Sequence, residues 1–354
     1  MKEILILGGT GAMGKHLVAN LSSKGDFQVY VTSRKNHSPE GNAQYLQGDA
    51  HNEEWISNVL SERIWDAVVD FMVYSTEEFK ARVDLLLNAT KQYVYLSSAR
   101  VYADCGDEML TETSPRLLDV CKEEEYLKTD EYALAKARQE DILINSGRRN
   151  WTIVRPSKTY GGDRIQLGSQ ETVDWLYEAA HSRAIVISKD IVDKYVTFSS
   201  GADVAKCLVE LIGNDNALGE VFNITNGQYI KWRDVLNAYI TVLEESINAH
   251  PVLIMPQVWE PWQGGNRYQV KYSTSLNRKV SNAKLLSFFP DLKFEDTVDG
   301  AKHNLQEYLL STVPPFDFAR IIAKAKFTGV YPCLREVPGK RKKLKLLLCK
   351  VGLI

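Results

Sequence analysis

The chain has 354 residues, a formal net charge of −2, 44% hydrophobic residues and 25% charged residues. That length fits one large domain or two intimate ones. The composition excludes a disordered, collagen-like or coiled-coil chain. No apolar run reaches the roughly 18 residues of a membrane-spanning helix, and the first run, Ile4–Leu7, stops at Gly8, too short for the core of a secretory signal. Five cysteines, at 105, 121, 207, 333 and 349, form no CxxC and read as reduced thiols of a cytoplasmic protein. The histidines are scattered without HExxH, which argues against a metal site. Charge is uneven. From Arg320 to Ile354 ten Lys/Arg face one acid, Glu336, so this tail carries +9 and the other 319 residues carry −11.

Along the chain, Glu3–Leu7 reads as a buried strand, followed by glycines and a helical pattern over His16–Ser23. Further strands are expected at Phe27–Thr32, Gln44–Gln47, Ala67–Val73, Gln92–Ser97 and Trp151–Arg155, each separated by enough chain for a crossover helix. Such alternation predicts an α/β fold, a doubly wound parallel sheet covered on both faces. After Tyr160 the pattern changes. Gly161–Gly168 is glycine-rich and polar, Ser169–His181 and Ala202–Gly213 look helical, and Ala184–Ser188, Tyr195–Phe198 and Val221–Ile224 look like strands. Residues 227–311 carry weaker strand signals among several Trp, Tyr and Pro. The division expected is a sheet domain over 1–160, to which 190–226 returns, a smaller substrate domain from 161–189 and 227–311, and a basic tail over 312–354.

The first strand runs into Gly8-Gly9-Thr10-Gly11-Ala12-Met13-Gly14, and a helix follows. Gly8, Gly11 and Gly14 form GxxGxxG. Glycine suits a positive φ, a close approach of pyrophosphate to the main chain, and tight helix–strand packing. The helix N-terminus adds N–H groups and a positive dipole for phosphate. An acid at the end of strand two would bind a ribose 2′-hydroxyl and select NAD. Here the run is Thr32-Ser33-Arg34-Lys35, with no acid. Arg34 can grip a 2′-phosphate bidentately with Lys35 beside it, or both are solvated cations. The run tilts toward NADP(H) and leaves NAD(H) open.

Strand five ends in Leu96-Ser97-Ser98-Ala99-Arg100-Val101-Tyr102, and Tyr132-Ala133-Leu134-Ala135-Lys136 follows in a helical stretch. Tyr132 and Lys136 are i and i+4 and share a helix face. A free tyrosine has a pKa near 10, and a nearby ammonium favours its phenolate. With a serine at the strand's carboxyl end to hold a substrate oxygen beside the phenol, these are the parts of a proton relay for alcohol–ketone interconversion beside a hydride carrier.

At this point the sequence resembles the extended short-chain dehydrogenase/reductases, the NAD-dependent epimerase/dehydratase group acting on nucleotide sugars. The resemblance covers most of residues 1–310. It rests on Gly8/Gly11/Gly14 (with Thr10 inside the run rather than before it), Ser97–Tyr102 as SSxxVY, and Tyr132/Lys136 as YxxxK. Gly48-Asp49, Arg155-Pro156 with Tyr160-Gly161, and Val221–Ile224 add to it. It implies a Rossmann-type fold with a smaller C-terminal substrate domain, and Ser98, Tyr132 and Lys136 as catalytic residues. The cofactor would be lined by Gly8, Thr10, Gly11, Ala12, Met13, Gly14, Ser33, Arg34, Asp49, Ala50, Phe71, Met72, Ser97, Tyr132, Lys136 and Pro156. It also implies a nucleotide-sugar substrate and a homodimer through the helices flanking strands four and five.

The departures are specific. Where dehydratases of the group carry an Asp-Glu pair stand Ala99 and Arg100, so 4,6-dehydration lacks its acid. Strand four ends Asp70-Phe71-Met72-Val73-Tyr74 instead of a His-Leu-Ala-like run. The arginine expected to grip a diphosphate near Asp193–Val196 is replaced by Lys194, with Arg267 and Arg278 as alternatives. Arg100 is either a substrate contact or an ion-pair partner, and Asp49 either an adenine contact or a turn residue. Trp175, Trp232, Trp259 and Trp262 read as core or interface packing. The reading is an NAD(P)-dependent epimerase or keto-sugar reductase, expected in the cytoplasm. The alternative is a non-catalytic nucleic-acid-binding protein on the same fold, like the chloroplast stem-loop-binding proteins, whose strand four resembles Val69-Asp70-Phe71. The acidic body makes nucleic acid an unexpected partner. The basic, then apolar, run Gly339–Lys350 is a solvated, partly disordered end, a tail folded on the acidic body of its own oligomer, or a contact for an anionic membrane or acidic protein.

Overall fold

The structure, a computed structural model, describes residues 1–353. In chain order it begins with β1 (Lys2–Leu7), α1 (Gly14–Ser22), β2 (Phe27–Ser33), β3 (Ala43–Gln47), α2 (Glu53–Ser61), β4 (Ala67–Asp70) and α3 (Thr76–Asn88). Then come β5 (Tyr93–Leu96), α4 (Leu117–Val120), α5 (Glu124–Leu127), α6 (Tyr132–Ile144), β6 (Trp151–Pro156), β7 (Lys158–Tyr160), α7 (Thr172–Ala180), β8 (Ala184–Val186), α8 (Lys189–Val192), β9 (Tyr195–Ser200) and α9 (Gly201–Leu211). The remainder is β10 (Glu220–Ile224), β11 (Tyr229–Lys231), α10 (Trp232–Ile247), β12 (Val252–Ile254), α11 (Arg267–Gln269), α12 (Ala283–Phe288), α13 (Thr297–Ser311), α14 (Phe318–Thr328) and α15 (Lys340–Lys350). Among the described residues no helix is long and apolar enough to cross a membrane.

Two compact units form. The first holds Met1–Gly161, Thr197–Tyr229 and Arg278–Glu295, and the second Gly162–Val196, Ile230–Asn277 and the chain from Asp296 onward. The first unit is a seven-stranded parallel sheet in the order β10-β6-β5-β4-β1-β2-β3. Its order reverses between β1 and β4, which opens a crevice at the carboxyl ends of those strands. The central strands β4 and β5 are buried along their whole length, and β1 from Ile4 to Leu7, because both faces of the sheet are covered. Ile4 and Ile6 meet Leu17, Val18 and Leu21 of α1 with Val204 and Leu208 of α9. Leu5 and Leu7, pointing the other way, meet Ile56 and Leu60 of α2 and Phe79, Val83 and Leu86 of α3.

Strand four stops at Asp70, not at Val73 as the apolar run predicted. The Asp70 carboxylate turns back to accept from Met72 N at 2.9 Å, which closes a local turn. The expected domain limits also shift. Residues 190–196 belong to the second unit, and 278–295 return to the first. Leu285, Leu292 and Phe294 join the sheet core, Lys284 pairs with Glu220 at 2.7 Å, and Asn282 donates to Thr225 O at 3.0 Å.

The second unit is mostly helical, although its part of 227–311 carries weak strand signals. Aromatic and β-branched residues of α10 fall at helical spacing, with Trp232, Val235, Leu236, Tyr239, Val242 and Leu243 buried. Trp175 stacks on Tyr239 at 5.3 Å, so Trp175 and Trp232 are core residues. The supposed tail is likewise folded. Lys324 of α14 is buried and donates to Gln170 Oε1 at 2.7 Å and to the Asp174 carbonyl, while Arg320 pairs with the Asp174 carboxylate. Helix α15 seats Leu346 and Cys349 on Phe318, Ile322 and Val337.

Candidate active site

The glycine loop sits at the crevice of the first unit. Gly8 takes φ +72°, and its N–H donates to Thr32 Oγ1 at 3.0 Å, which ties the loop to β2. A Cβ on Gly14 would fall 2.6 Å from the Gly9 backbone, so the third glycine lets α1 start against the loop. A Cβ on Gly11 would meet nothing within 4 Å, so the middle glycine faces open space. Met13 provides no side-chain cap, and the first turn of α1 holds no acid. The loop therefore presents an open backbone at an uncapped helix start, which fits a pyrophosphate. One further glycine escaped the motif reading. Gly201 opens α9, and a Cβ there would fall 2.4 Å from Ala12 O.

Around the loop, the other expected cofactor residues lie at the carboxyl ends of β2, β3 and β4. Ser33 is buried, with Oγ 3.0 Å from His37 Nε2, while Arg34 and Lys35 are exposed. Asp49 is exposed and accepts from His51 N at 3.0 Å, and the buried Ala50 accepts from Arg82 Nη1 at 3.1 Å through its carbonyl. Phe71 and Met72 are half-buried against opposite core layers. Pro156 ends β6 opposite Ile224.

Helix α6 faces the end of β5 with a polar stripe. Tyr132, Lys136, Gln139 and Glu140 fall at i, i+4, i+7 and i+8, and the last three are buried. Lys136 Nζ donates to Leu96 O at 2.7 Å and lies 4.6 Å from the Tyr95 ring. Burial pushes its pKa down to about 8, with Asp70 and Glu140 holding it up. Ser98 lies two residues beyond Leu96. Its Oγ accepts from Arg100 N at 3.2 Å, starting the 3₁₀ turn Ala99–Val101. That turn swings the Arg100 guanidinium to 5.2 Å from the half-buried Tyr132 ring, where Glu131 receives it at 2.6 Å. Both ends of the YxxxK pair are thus tied to the chain around Ser98. Glu131 also accepts from Tyr126 OH and Ala133 N.

Beneath this lies a network that motif reading did not assign. Glu140 is wholly buried and accepts from Ser97 Oγ at 2.5 Å, from Arg155 Nε and Nη2 at 2.8 and 2.7 Å, and from Arg116 Nη1 at 3.3 Å. Arg155 also donates to Tyr102 OH, and Tyr102 donates to Asn223 Oδ1 at 2.6 Å. The RP and Asn-Ile motifs therefore lock β5, β6, β10 and α6 together. Their signal was visible as Arg155 and Asn223, whereas no motif marks Glu140. On the neighbouring strand Asp70 is buried and accepts from Tyr93 OH at 2.7 Å, and burial raises its pKa.

The structure places the remaining expected contacts and corrects Arg278. Ser97 spends its hydroxyl on Glu140 and so also joins the lock. Arg278 is buried, with its guanidinium on the carbonyls of Ala99, Tyr102 and Ala103 at 2.7, 3.2 and 3.1 Å, and burial lowers its pKa to about 10. It braces the turn after Ser98 instead of offering charge to a ligand. Lys194 and Arg267 lie in the second unit. Lys194 is half-buried, and its carbonyl accepts from Trp232 N. Arg267 is exposed and lies 4.4 Å from the Tyr268 ring. An arginine does reach Asp193, but it is Arg233, at 2.8 Å from both carboxylate oxygens. Its distance in sequence hid it.

A parallel sheet with a glycine loop at its reversal point, and a buried lysine one turn after a tyrosine beside the fifth strand, defines the extended short-chain dehydrogenase/reductase class. The chain belongs to the NAD dependent epimerase/dehydratase family, whose model matches residues 4–225. It is 25% identical over 252 residues to the chloroplast stem-loop binding protein of 41 kDa b of Arabidopsis thaliana, covering 67% of this chain and 62% of that one. It is 30% identical over 135 residues to the UDP-glucose 4-epimerase of Streptococcus mutans, covering 32% of this chain and 40% of that one. The matches thus span less than two thirds of either relative. Among solved structures, the dTDP-glucose 4,6-dehydratase of Bacillus anthracis in complex with NAD superimposes with a TM-score of 0.67 at 16% identity, over 88% of this chain and 97% of that one.

Proposed function

We propose that the protein is an NAD(P)-dependent oxidoreductase of nucleotide-linked sugars, working either as an epimerase or as a keto-sugar reductase. The observation that carries this is the Lys136 ammonium anchored on Leu96 O, with Tyr132 one turn earlier and Ser98 two residues on. The family and the named epimerase relative support the substrate class. The nicotinamide, when bound, supplies a hydride acceptor and donor. Gly8–Gly14 would hold its pyrophosphate, and Ser33 with Arg34 the ribose, where Arg34 and Lys35 favour a 2′-phosphate. Ser98 holds the reacting sugar oxygen. Tyr132 takes the hydroxyl proton as C–O becomes C=O and returns it in the reverse sense. Lys136, kept cationic, favours the phenolate that does so. Dehydration is disfavoured because Ala99 and Arg100 bring no acid, and Glu131 is spent on Arg100, Tyr126 and Ala133.

The test is to denature purified protein, identify any released nucleotide by mass spectrometry, and assay UDP- and dTDP-sugars with NAD⁺ and NADPH. Retained NAD(H) with sugar interconversion supports an epimerase. NADPH-dependent reduction supports a reductase. No nucleotide binding and no turnover sink the proposal. The homodimer through α3 and α6 belongs to the same reading and is checked by light scattering.

A second reading is nucleic-acid binding without turnover, favoured by the stem-loop binding relative. Against it stands the −11 charge of the chain before Arg320. A salt-dependent RNA shift in a protein without turnover would put this reading first.

A further inference from the structure

Helix α15 has two apolar faces, and only one is used. Leu346 and Cys349 pack on α14 and Val337, and Tyr331 OH reaches Cys349 O at 3.4 Å. On the opposite side Leu344, Leu347, Leu348 and Val351 fall at i, i+3, i+4 and i+7, one continuous stripe. Leu344, Leu347 and Val351 are 60%, 44% and 69% exposed. At about 100° per residue, Lys343 and Lys350 flank the stripe on one side and Arg341 and Lys345 on the other. Lys340 stands at its start, and Lys342 covers the Phe318 ring at 5.9 Å. No acid follows Glu336 in the sequence.

We infer that α15 docks in the plane of an anionic lipid surface, with Leu344, Leu347, Leu348 and Val351 entering the headgroup boundary and the flanking cations on the phosphates. The helix has 11 residues, about 16 Å at 1.5 Å per residue, far short of the ~30 Å needed to cross. Lysine stems lie along apolar surface while the ammonium stays in water, which suits both flanks of such a stripe. An acidic protein is the weaker match, because protein interfaces favour Arg, Trp and Tyr and deplete Lys. Here the cations are five Lys and one Arg, and the stripe holds no aromatic residue. A second copy of the chain is weaker still, since it would bring two cationic helices together.

The experiment is co-sedimentation of the full chain with phosphatidylserine/phosphatidylcholine vesicles and with pure phosphatidylcholine vesicles, at low and high salt. The variants are L344E/L347E on the stripe and K343E/K350E on one flank. Both are far in sequence from Ser98, Tyr132 and Lys136, so retained nucleotide binding and circular dichroism check folding. The wild type is expected to pellet with anionic vesicles and to lose binding at high salt. Each variant is expected to bind at least about tenfold more weakly. Equal binding to both vesicle types, or variants that bind like the wild type, overturns the inference. So does binding to an acidic peptide without vesicle binding. Loss of a dimer in L344E/L347E, with no vesicle binding by the wild type, overturns it in favour of a copy–copy contact.

Discussion

The two halves of the α6 inner face are both polar and both buried, yet they are built differently. In the second half Glu140 is saturated by Ser97, Arg116 and Arg155, so every charge has a fixed partner. In the first half Lys136 has three protons and one carbonyl acceptor, with its remaining support from the Tyr95 ring and the more distant Asp70 and Glu140 charges. A saturated network holds the strands together. A cation with unspent hydrogen-bonding capacity, held beside a tyrosine, is available to chemistry. Burial alone does not distinguish the two, and partner count does.

The largest effect should come from the reactive half. Tyr132→Phe removes the proton relay, and turnover should fall by about 10²–10⁴-fold while nucleotide affinity, read by fluorescence titration, stays unchanged. An active mutant would remove Tyr132 from the mechanism. Next, Glu140→Leu strikes the locked half. It leaves the Arg155 guanidinium, 4% exposed, without its counter-charge, and breaking such a pair costs about 3–5 kcal/mol. The urea midpoint should drop steeply. Adding Arg155→Met should recover much of the loss, and if it does not, the pair is not the reason for the drop.

The comparison sharpens with pH. Lys136 carries a pKa of about 8 against 10.5 for a free lysine, so kcat/KM should fall above about pH 8 as the cation is lost. Lys136→Arg should move that limb upward, since a guanidinium stays charged. Stability should move the other way. Lys324 is lowered to about 8 by burial as well. Below about 8 folded and unfolded chains both hold these protons, and the burial penalty is full. Between about 8 and 10.5 the unfolded chain holds more protons, so stability rises with pH. Lys324→Met should flatten the part of that rise due to Lys324, read as urea midpoints across the interval. The smallest effect concerns the cofactor. Arg34→Ala should weaken NADPH about tenfold, ~1.4 kcal/mol, and leave NADH unchanged. Equal loss for both would make Arg34 a general phosphate contact.

Much of this site could be read from the chain. Gly8 and Gly14 announce a loop because glycine alone suits the positive φ of the one and the close backbone approach of the other, and Tyr132 with Lys136 announces a shared helix face by spacing alone. Strands β1 to β6 announce themselves as apolar runs separated by crossover lengths. What failed were residues whose partners are remote. Arg278 looked like a ligand contact because an isolated arginine in sequence looks solvated, yet it is spent on three carbonyls of residues 99–103. The 227–311 segment carries only weak strand signals, since aromatic and β-branched residues raise strand propensity, and packing makes most of it helical, with β11 and β12 as its short strands.

By itself, then, the sequence determined the parallel sheet, the glycine loop, the Ser98–Tyr132–Lys136 order and the basic character of the last helix. These depend on local backbone freedom, periodicity and composition. Tertiary structure decided which charges are paired. It placed Glu140 under Arg155, Glu131 under Arg100, and Arg233 against Asp193, and it turned the leucines of α15 outward on one side while burying Leu346 on the other. The reason is physical. A charge or an apolar side chain carries its chemistry in its own atoms, but whether that chemistry is spent or available depends on neighbours that the fold brings from far along the chain.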